Sequence, residues 1–243
     1  LPRGERLGPS AQRRRAATTC QGIVDALASP DLELVVVHGN GPQVGVLATE
    51  SENDPDLDEP FRLDELVAET QGLIGYWLQQ TVDNHGGGPV VTLISRTLVA
   101  VDDPAFADPS KFIGQAYDRG VAESLAVRNR WTVKQDGAVW RRVVPSPRPQ
   151  DVLELALVDL LLEHGTTVVV AGGGGIPVVR DGDRLTGVEA VVDKDLAAGL
   201  IAERLRADLF VVVTDVAGGG LRSRAMNNAT SVAMATTCAN GIA

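Results

Sequence analysis

Glu33-Leu34-Val35-Val36-Val37 runs directly into His38-Gly39-Asn40-Gly41-Pro42-Gln43-Val44-Gly45, and this junction decides the fold. A short run dominated by β-branched valine predicts a buried strand. The glycine turn behind it, and a proline whose missing N–H suits a first helical turn, predict a helix starting at once. Strand, glycine loop and helix in that order are the unit of a parallel α/β sheet. Backbone N–H groups and the helix dipole attract anions at such a loop, so Gly39, Asn40 and Gly41 are candidates to hold phosphate or carboxylate. Taken alone, the loop is also compatible with a tight turn that binds nothing. Its Gly-x-Gly-x-x-x-Gly spacing is not the dinucleotide fingerprint, and no strand-terminal acid follows at the expected distance, which disfavours a Rossmann oxidoreductase.

Outward from this unit, residues 9–29 carry apolar side chains at helical spacing, with Ser10 available as a cap, and residues 63–84 form the longest expected helix. The acidic, proline-bearing stretch 52–60 between them is a surface loop. Residues 70–82 contain no charge, while Gly72 and Gly75 allow close approach and Tyr76 and Trp77 offer contact area. Such a helix is either buried in the monomer or paired with a second subunit, and the terminal Gln79 and Gln80 favour the subunit contact. Strand-like content returns at 89–98, followed by an irregular excursion at 102–117 and a hairpin over 131–144 that turns at Asp136-Gly137. Residues 97 to about 149 are therefore read as an inserted subdomain. A helix at 150–164, a strand at 167–171, a ribbon reaching 192, a helix at 196–206 and a strand at 209–214 complete an α/β pattern with a largely parallel sheet. Residues 217–243 show neither period and are expected not to pack like the rest.

The run Gly172, Gly173, Gly174, Gly175 follows a predicted strand, where open α/β sheets bind ligands, and is a second candidate cradle. Neither loop is followed by Gly-Lys-Ser or Gly-Lys-Thr, which excludes a Walker-type site. Asp193-Lys194-Asp195 opens a helix, so one Asp can cap it while Lys194 projects toward an anion; a solvated lysine is the plainer alternative. Lys111, between Ser110 and Phe112-Ile113-Gly114, is a cation the excursion could hold over a site, although loop lysines are more commonly solvated. His38, His85 and His164 lack partners at metal-ligand spacing and are assigned no catalysis, and no metal ligands are predicted. Cys20 and Cys238 stand far apart, which supports neither a disulfide framework nor a zinc site and fits a reducing, cytoplasmic setting. A net charge of −10 disfavours nucleic acid and anionic membranes as partners, and no apolar run reaches the length of a membrane span.

Together these strings resemble the carbamate kinase family of the amino-acid-kinase fold: residues 38–45, Thr70-Gln71-Gly72-Leu73-Ile74-Gly75-Tyr76-Trp77-Leu78-Gln79-Gln80, Lys111-Phe112-Ile113-Gly114, Arg141-Arg142-Val143-Val144-Pro145-Ser146-Pro147, residues 171–177 and residues 186–195. The resemblance runs to about Val216, so residues 1–216 are the kinase domain and 217–243 an aberrant tail. It implies a three-layer α/β/α sandwich with a small lid, a homodimer, ATP/ADP with Mg²⁺, and reversible formation of carbamoyl phosphate from carbamate, often in arginine breakdown. By motif, Gly39, Asn40 and Gly41 would hold carbamate and the phosphoryl group. Lys111 on the lid would contact the substrate end, Lys194 would neutralise ATP phosphates and Asp195 would orient catalytic groups. Gly172 to Gly175, with Thr214 and Asp215, would line the nucleotide side. The family's opening strand with its Gly-Gly-Asn loop, and its later Gly-Pro-Lys motif, have no counterpart in residues 1–243. That absence, and the start at Leu1, lead to the expectation that the N-terminus is incomplete and that these residues alone are inactive. Two alternatives follow: a non-catalytic remnant, or another acyl-phosphate-forming kinase of the same fold.

Overall fold

The computed structural model describes residues 8–27, 32–213 and 231–237. In chain order its elements are α1 (Pro9–Leu27), β1 (Leu32–His38), α2 (Gly41–Asn53), α3 (Leu63–Asn84), β2 (Val90–Thr92), β3 (Arg96–Val99), β4 (Lys111–Tyr117), α4 (Arg119–Asn129), β5 (Thr132–Asp136) and β6 (Val139–Val144). There follow β7 (Pro149–Val152), α5 (Leu155–Glu163), β8 (Thr167–Val169), β9 (Ile176–Asp181), β10 (Arg184–Gly187), α6 (Lys194–Arg204), β11 (Leu209–Val213) and β12 (Ser231–Thr237).

The valine run works as its composition predicts. Successive side chains of a strand point to opposite faces, and β1 is apolar on both. Val35 and Val37 pack with Val158 and Leu162 of α5 and Ala197, Ala198 and Ile201 of α6. Leu34 and Val36 pack on the other face with Cys20 of α1 and Ile74, Trp77, Leu78 and Val82 of α3. Helices thus cover both sides of a parallel sheet of order β11-β12-β1-β8-β2, a three-layer α/β/α sandwich. Each large side chain buried this way contributes roughly 1.5–3 kcal/mol. Cys20 belongs to this core: burial pushes its thiol up to about 11, so it serves as a small hydrophobe and not as a nucleophile.

Two smaller sheets extend the sandwich. One has the order β10-β9-β3-β7, and the other, β4-β6-β5, is antiparallel and carries α4 in the inserted region. This antiparallel sheet rests on α2 through β4. Gly114, at φ +67°, lies against Gly45, where a Cβ would stand 2.9 Å from the Gly114 Cα. Alongside, Arg142 donates to Glu52 at 2.7 Å and lies over the Trp131 ring at 5.0 Å. Burial pushes the Glu52 carboxyl up, with the Arg142 charge opposing that rise.

Several local expectations change. Residues 89–98 are not one strand: β2 lies in the main sheet and β3 in the second, with the chain crossing between them at 93–95. The helix expected from 150 starts at Leu155, because 149–152 pair antiparallel with β3 as β7. Glu154 fixes this start by accepting from the Arg96 N–H at 2.7 Å and from the Arg96 Nε at 2.8 Å. α4 was not anticipated; Ala122 is its one buried residue, with Val121 and Val127 exposed, so it has no apolar stripe to read. Residues 231–237, in the stretch expected not to pack, form β12, between β1 and β11. The charge-free part of α3 is buried on one face only: Ile74, Trp77 and Leu78 are buried, whereas Leu73 and Tyr76 face outward.

Candidate active site

The two glycine loops leave the C-terminal ends of adjacent parallel strands, β1 and β8. Asn40 precedes α2 without capping it through its side chain, so the first-turn amides of α2 keep their capacity for an anion. The Asn40 side chain turns to α3 instead, its Nδ2 donating to Thr70 Oγ1 at 2.8 Å. The second loop folds as a 3-10 turn over Gly172–Gly174, with Gly173, Gly174 and Gly175 all at positive φ. Here glycine is required. A Cβ on Gly173 would overlap the Asn40 side chain, and one on Gly174 would overlap the Val192 carbonyl. The first loop therefore touches the second, and the second touches the residue before Asp193.

Asp193 caps α6, accepting from the N–H groups of Asp195 at 2.9 Å and Leu196 at 3.4 Å. Its other oxygen accepts from Lys111 Nζ at 2.7 Å. Burial raises the Asp193 pKa, but the Lys111 hydrogen bond and charge and the two amides outweigh it, leaving the carboxyl below its ordinary range. Lys194 is largely buried and donates to Asp195 Oδ1 at 2.7 Å; the Asp195 side chain is half exposed. Gly39, Asn40, Gly41, Gly172 to Gly175, Lys111, Lys194 and Asp195 are thus linked through the Asn40–Gly173, Gly174–Val192 and Lys111–Asp193 contacts. Thr214 and Asp215 lie outside the described residues.

His38 is more than the end of β1. It is buried, and its Nδ1 lies 3.1 Å from the Gly39 carbonyl, which can only accept, so Nδ1 carries the proton. Nε2 has no partner among the described residues and packs against Gly172, where a Cβ would overlap it. Burial holds the ring neutral by lowering its pKa to about 4, against which the Gly39 hydrogen bond works. The unfolded chain therefore takes up a proton near pH 6.5 that the folded chain refuses until about 4. Stability from this group is present above pH 6.5 and lost as pH falls toward 4. Denaturant titrations at pH 7 and pH 5 should show a loss of up to about 2 kcal/mol, absent in His38→Gln. Equal pH dependence in both proteins would remove His38 as the cause.

The sequence pattern of the amino acid kinase family matches residues 7–218. Carbamate kinase of Haemophilus influenzae is 47% identical over 219 residues, covering 89% of this chain and 70% of that one. Carbamate kinase of Escherichia coli K12 is 45% identical over 216 residues, covering 88% and 71%. Among solved structures, carbamate kinase from Giardia lamblia bound to citric acid superposes with a TM-score of 0.80 at 34% identity, covering 89% and 71%. The same enzyme bound to AMP-PNP gives 0.75 at 34% identity, covering 89% and 70%. The chain belongs to the carbamate kinase branch of the amino acid kinase family. In this carbamate kinase family member, the motif strings at 38–45, 70–80, 111–114, 171–177 and 186–195 are separate in sequence but meet in one region of the fold.

Sequence reasoning missed four polar residues there. The sequence places Thr70 and Gln71 in a charge-free packing face and Ser95 and Thr97 in strand-like content, yet all four are fully or almost fully buried and hydrogen-bonded to the loops or to one another. Two adjacent polar residues in a helix segment otherwise rich in apolar ones were the available signal.

Proposed function

We propose that the chain transfers a phosphoryl group reversibly between ATP and carbamate, giving ADP and carbamoyl phosphate. One observation carries the reading: two glycine loops, a lid lysine and a lysine-bearing helix start converge through three direct contacts. Phosphoryl transfer needs little covalent help from protein but does need placed positive charge and fixed amide donors. In this reading the α2 amides beside Gly39, Asn40 and Gly41 hold the carbamate and the moving phosphoryl group. Lys111 contacts that group from the lid, Lys194 neutralises nucleotide phosphates, and Asp195 orients Lys194. Gly172 to Gly175 line the nucleotide side, the glycine run at the end of β8 leaving room for a phosphate chain to approach the backbone. Asp193 holds Lys111 before substrate arrives, and an entering anion competes for the same ammonium.

Among the described residues no three acid, histidine or cysteine side chains converge as a metal cage. A Mg²⁺ ion carried on nucleotide phosphate oxygens would have Asp193 and Asp195, now paired with Lys111 and Lys194, as the nearby carboxylates. Bound that way, the ion supplies charge neutralisation on the phosphates. The reading extends to a homodimer, to which the exposed Leu73, Tyr76 and Ile94 offer a surface, and to a cytoplasmic role in arginine breakdown. Among the described residues no helix is long and apolar enough to cross a membrane.

The test is ATP formation from Mg-ADP with carbamoyl phosphate and, in parallel, acetyl phosphate. Preference for carbamoyl phosphate by a factor of 100 or more is expected, and equal use of both would assign another acyl-phosphate kinase. Lys111→Ala should raise the KM for carbamoyl phosphate and lower kcat by about tenfold, near 1.4 kcal/mol, with little change in unfolding midpoint. Unaltered steady-state constants would leave Lys111 as a surface ion-pair partner only.

A further inference from the structure

We propose that Gln71, acting through Ser95, is the positioning residue that sets the conformation of the 172–175 loop for the nucleotide; this rests on the kinase reading above. Gln71 is 1% exposed and Ser95 is wholly buried. The two exchange a pair of hydrogen bonds: the Ser95 N–H donates to Gln71 Oε1 at 2.8 Å, and Gln71 Nε2 donates to the Ser95 carbonyl at 3.1 Å. Gln71 Nε2 also donates to the Gly172 carbonyl at 3.2 Å. Ser95 then holds the loop at both ends, its Oγ accepting from the Ala171 N–H at 2.8 Å and its carbonyl from the Ile176 N–H at 2.9 Å. Thr97 adds a third tie, its hydroxyl donating to the Gly174 carbonyl at 2.7 Å.

The loop needs such ties. Four successive glycines have little conformational preference of their own, and a loop ordered only on binding would weaken the ligand by the entropy of ordering it. Ala171 sits at φ 51° and ψ 36°, a left-handed conformation that costs a residue with a Cβ and persists only where its surroundings impose it. The Ser95 hydroxyl bonds that residue's own N–H. A trans peptide points its C=O and N–H in opposite directions, so directing the Gly172 carbonyl at Gln71 turns the Gly173 amide away from α3. The preceding residue, Thr70, holds Asn40 of the first loop. Adjacent positions on α3 thus tie both loops to one rigid element.

The experiment compares the full chain with Gln71→Met, which keeps volume but makes none of these bonds, and with Ser95→Ala. Two readouts are used: steady-state ATP formation from carbamoyl phosphate and Mg-ADP, and hydrogen–deuterium exchange of the bonded amides of Gly174, Gly175 and Ile176. Gln71→Met should raise the KM for ADP at least tenfold while the KM for carbamoyl phosphate moves less than threefold. Exchange at 174–176 should quicken at least tenfold, with the β1 amides unchanged. Ser95→Ala should shift both readouts in the same direction by less. A folded Gln71→Met with parental exchange at 174–176 and a KM for ADP within twofold of the parent overturns the proposal. Should that variant fail to fold, parental values in Ser95→Ala overturn it equally. A parent that makes no ATP from carbamoyl phosphate counts against the kinase reading instead, and the exchange comparison still decides the role of Gln71.

Discussion

Lys194→Ala is expected to lower carbamoyl phosphate turnover by about two to three orders of magnitude, or roughly 2.7–4 kcal/mol, the range for removing one preorganised charge-stabilising group. Lys194 sits at the first position of α6 and is largely buried, so its ammonium is held in a partly desolvated place beside the loop contacts. A charge fixed there needs no reorganisation when phosphoryl oxygens arrive. The helix itself does not depend on it, since Asp193 supplies the cap through the Asp195 and Leu196 amides. Unfolding midpoints of variant and parent should therefore agree to within a few degrees while ATP formation collapses. Turnover at saturating substrate within threefold of the parent would show that Lys194 only pairs with Asp195.

Gly174→Ala should damage both stability and activity. Gly174 has φ +95°, outside the range an alanine tolerates, and a Cβ there would overlap the Val192 carbonyl. Backbone cannot rotate away as a side-chain tip can, so either the loop or the 190–193 segment must move. A loss of at least about 2 kcal/mol is expected from strain and overlap together, a fall in midpoint of roughly 4–8 °C for a chain of this size. Because Val192 precedes the Asp193 cap, displacement would carry Lys194 with it, and activity should fall more than a hundredfold. Gly182→Ala separates the causes: its φ is +56° but a Cβ there meets nothing within 4 Å. It should cost about 1 kcal/mol and leave kinetics unchanged. If the two variants lose the same stability and both keep full turnover, the close approach of Gly174 to Val192 has no functional weight.

Some of this molecule was legible from local sequence alone. The valine run before His38 gave a buried strand, the long apolar period gave α3 over Leu63–Asn84, Asp136-Gly137 gave the β5–β6 turn, and Asp193-Lys194-Asp195 gave a helix start capped by one of its two aspartates. Both glycine loops were found because a strand followed by glycines is itself the signal. These features depend on neighbours within about one helical turn or one hairpin, where periodicity and capping act.

Tertiary structure decided the rest, because partners far apart in sequence carry no local mark. The stretch 89–98 divides between two sheets because Ser95 is tied to Gln71, Ala171 and Ile176, 24 to 81 residues away. Residues 149–152 became β7 instead of a helical turn because β3 offered an open edge, and pairing outweighs a weak local preference. Residues 231–237 lie between β1 and β11 although nothing in their Ala- and Thr-rich composition announces a strand inside the sheet. In the candidate site, residue types named Lys111, Lys194 and the glycines, but only packing could bring Lys111 onto Asp193, 82 positions along the chain, and assign Thr70 and Gln71 to the loops. A buried polar side chain is recognisable as unusual from sequence; which group satisfies it is fixed only when the layers close.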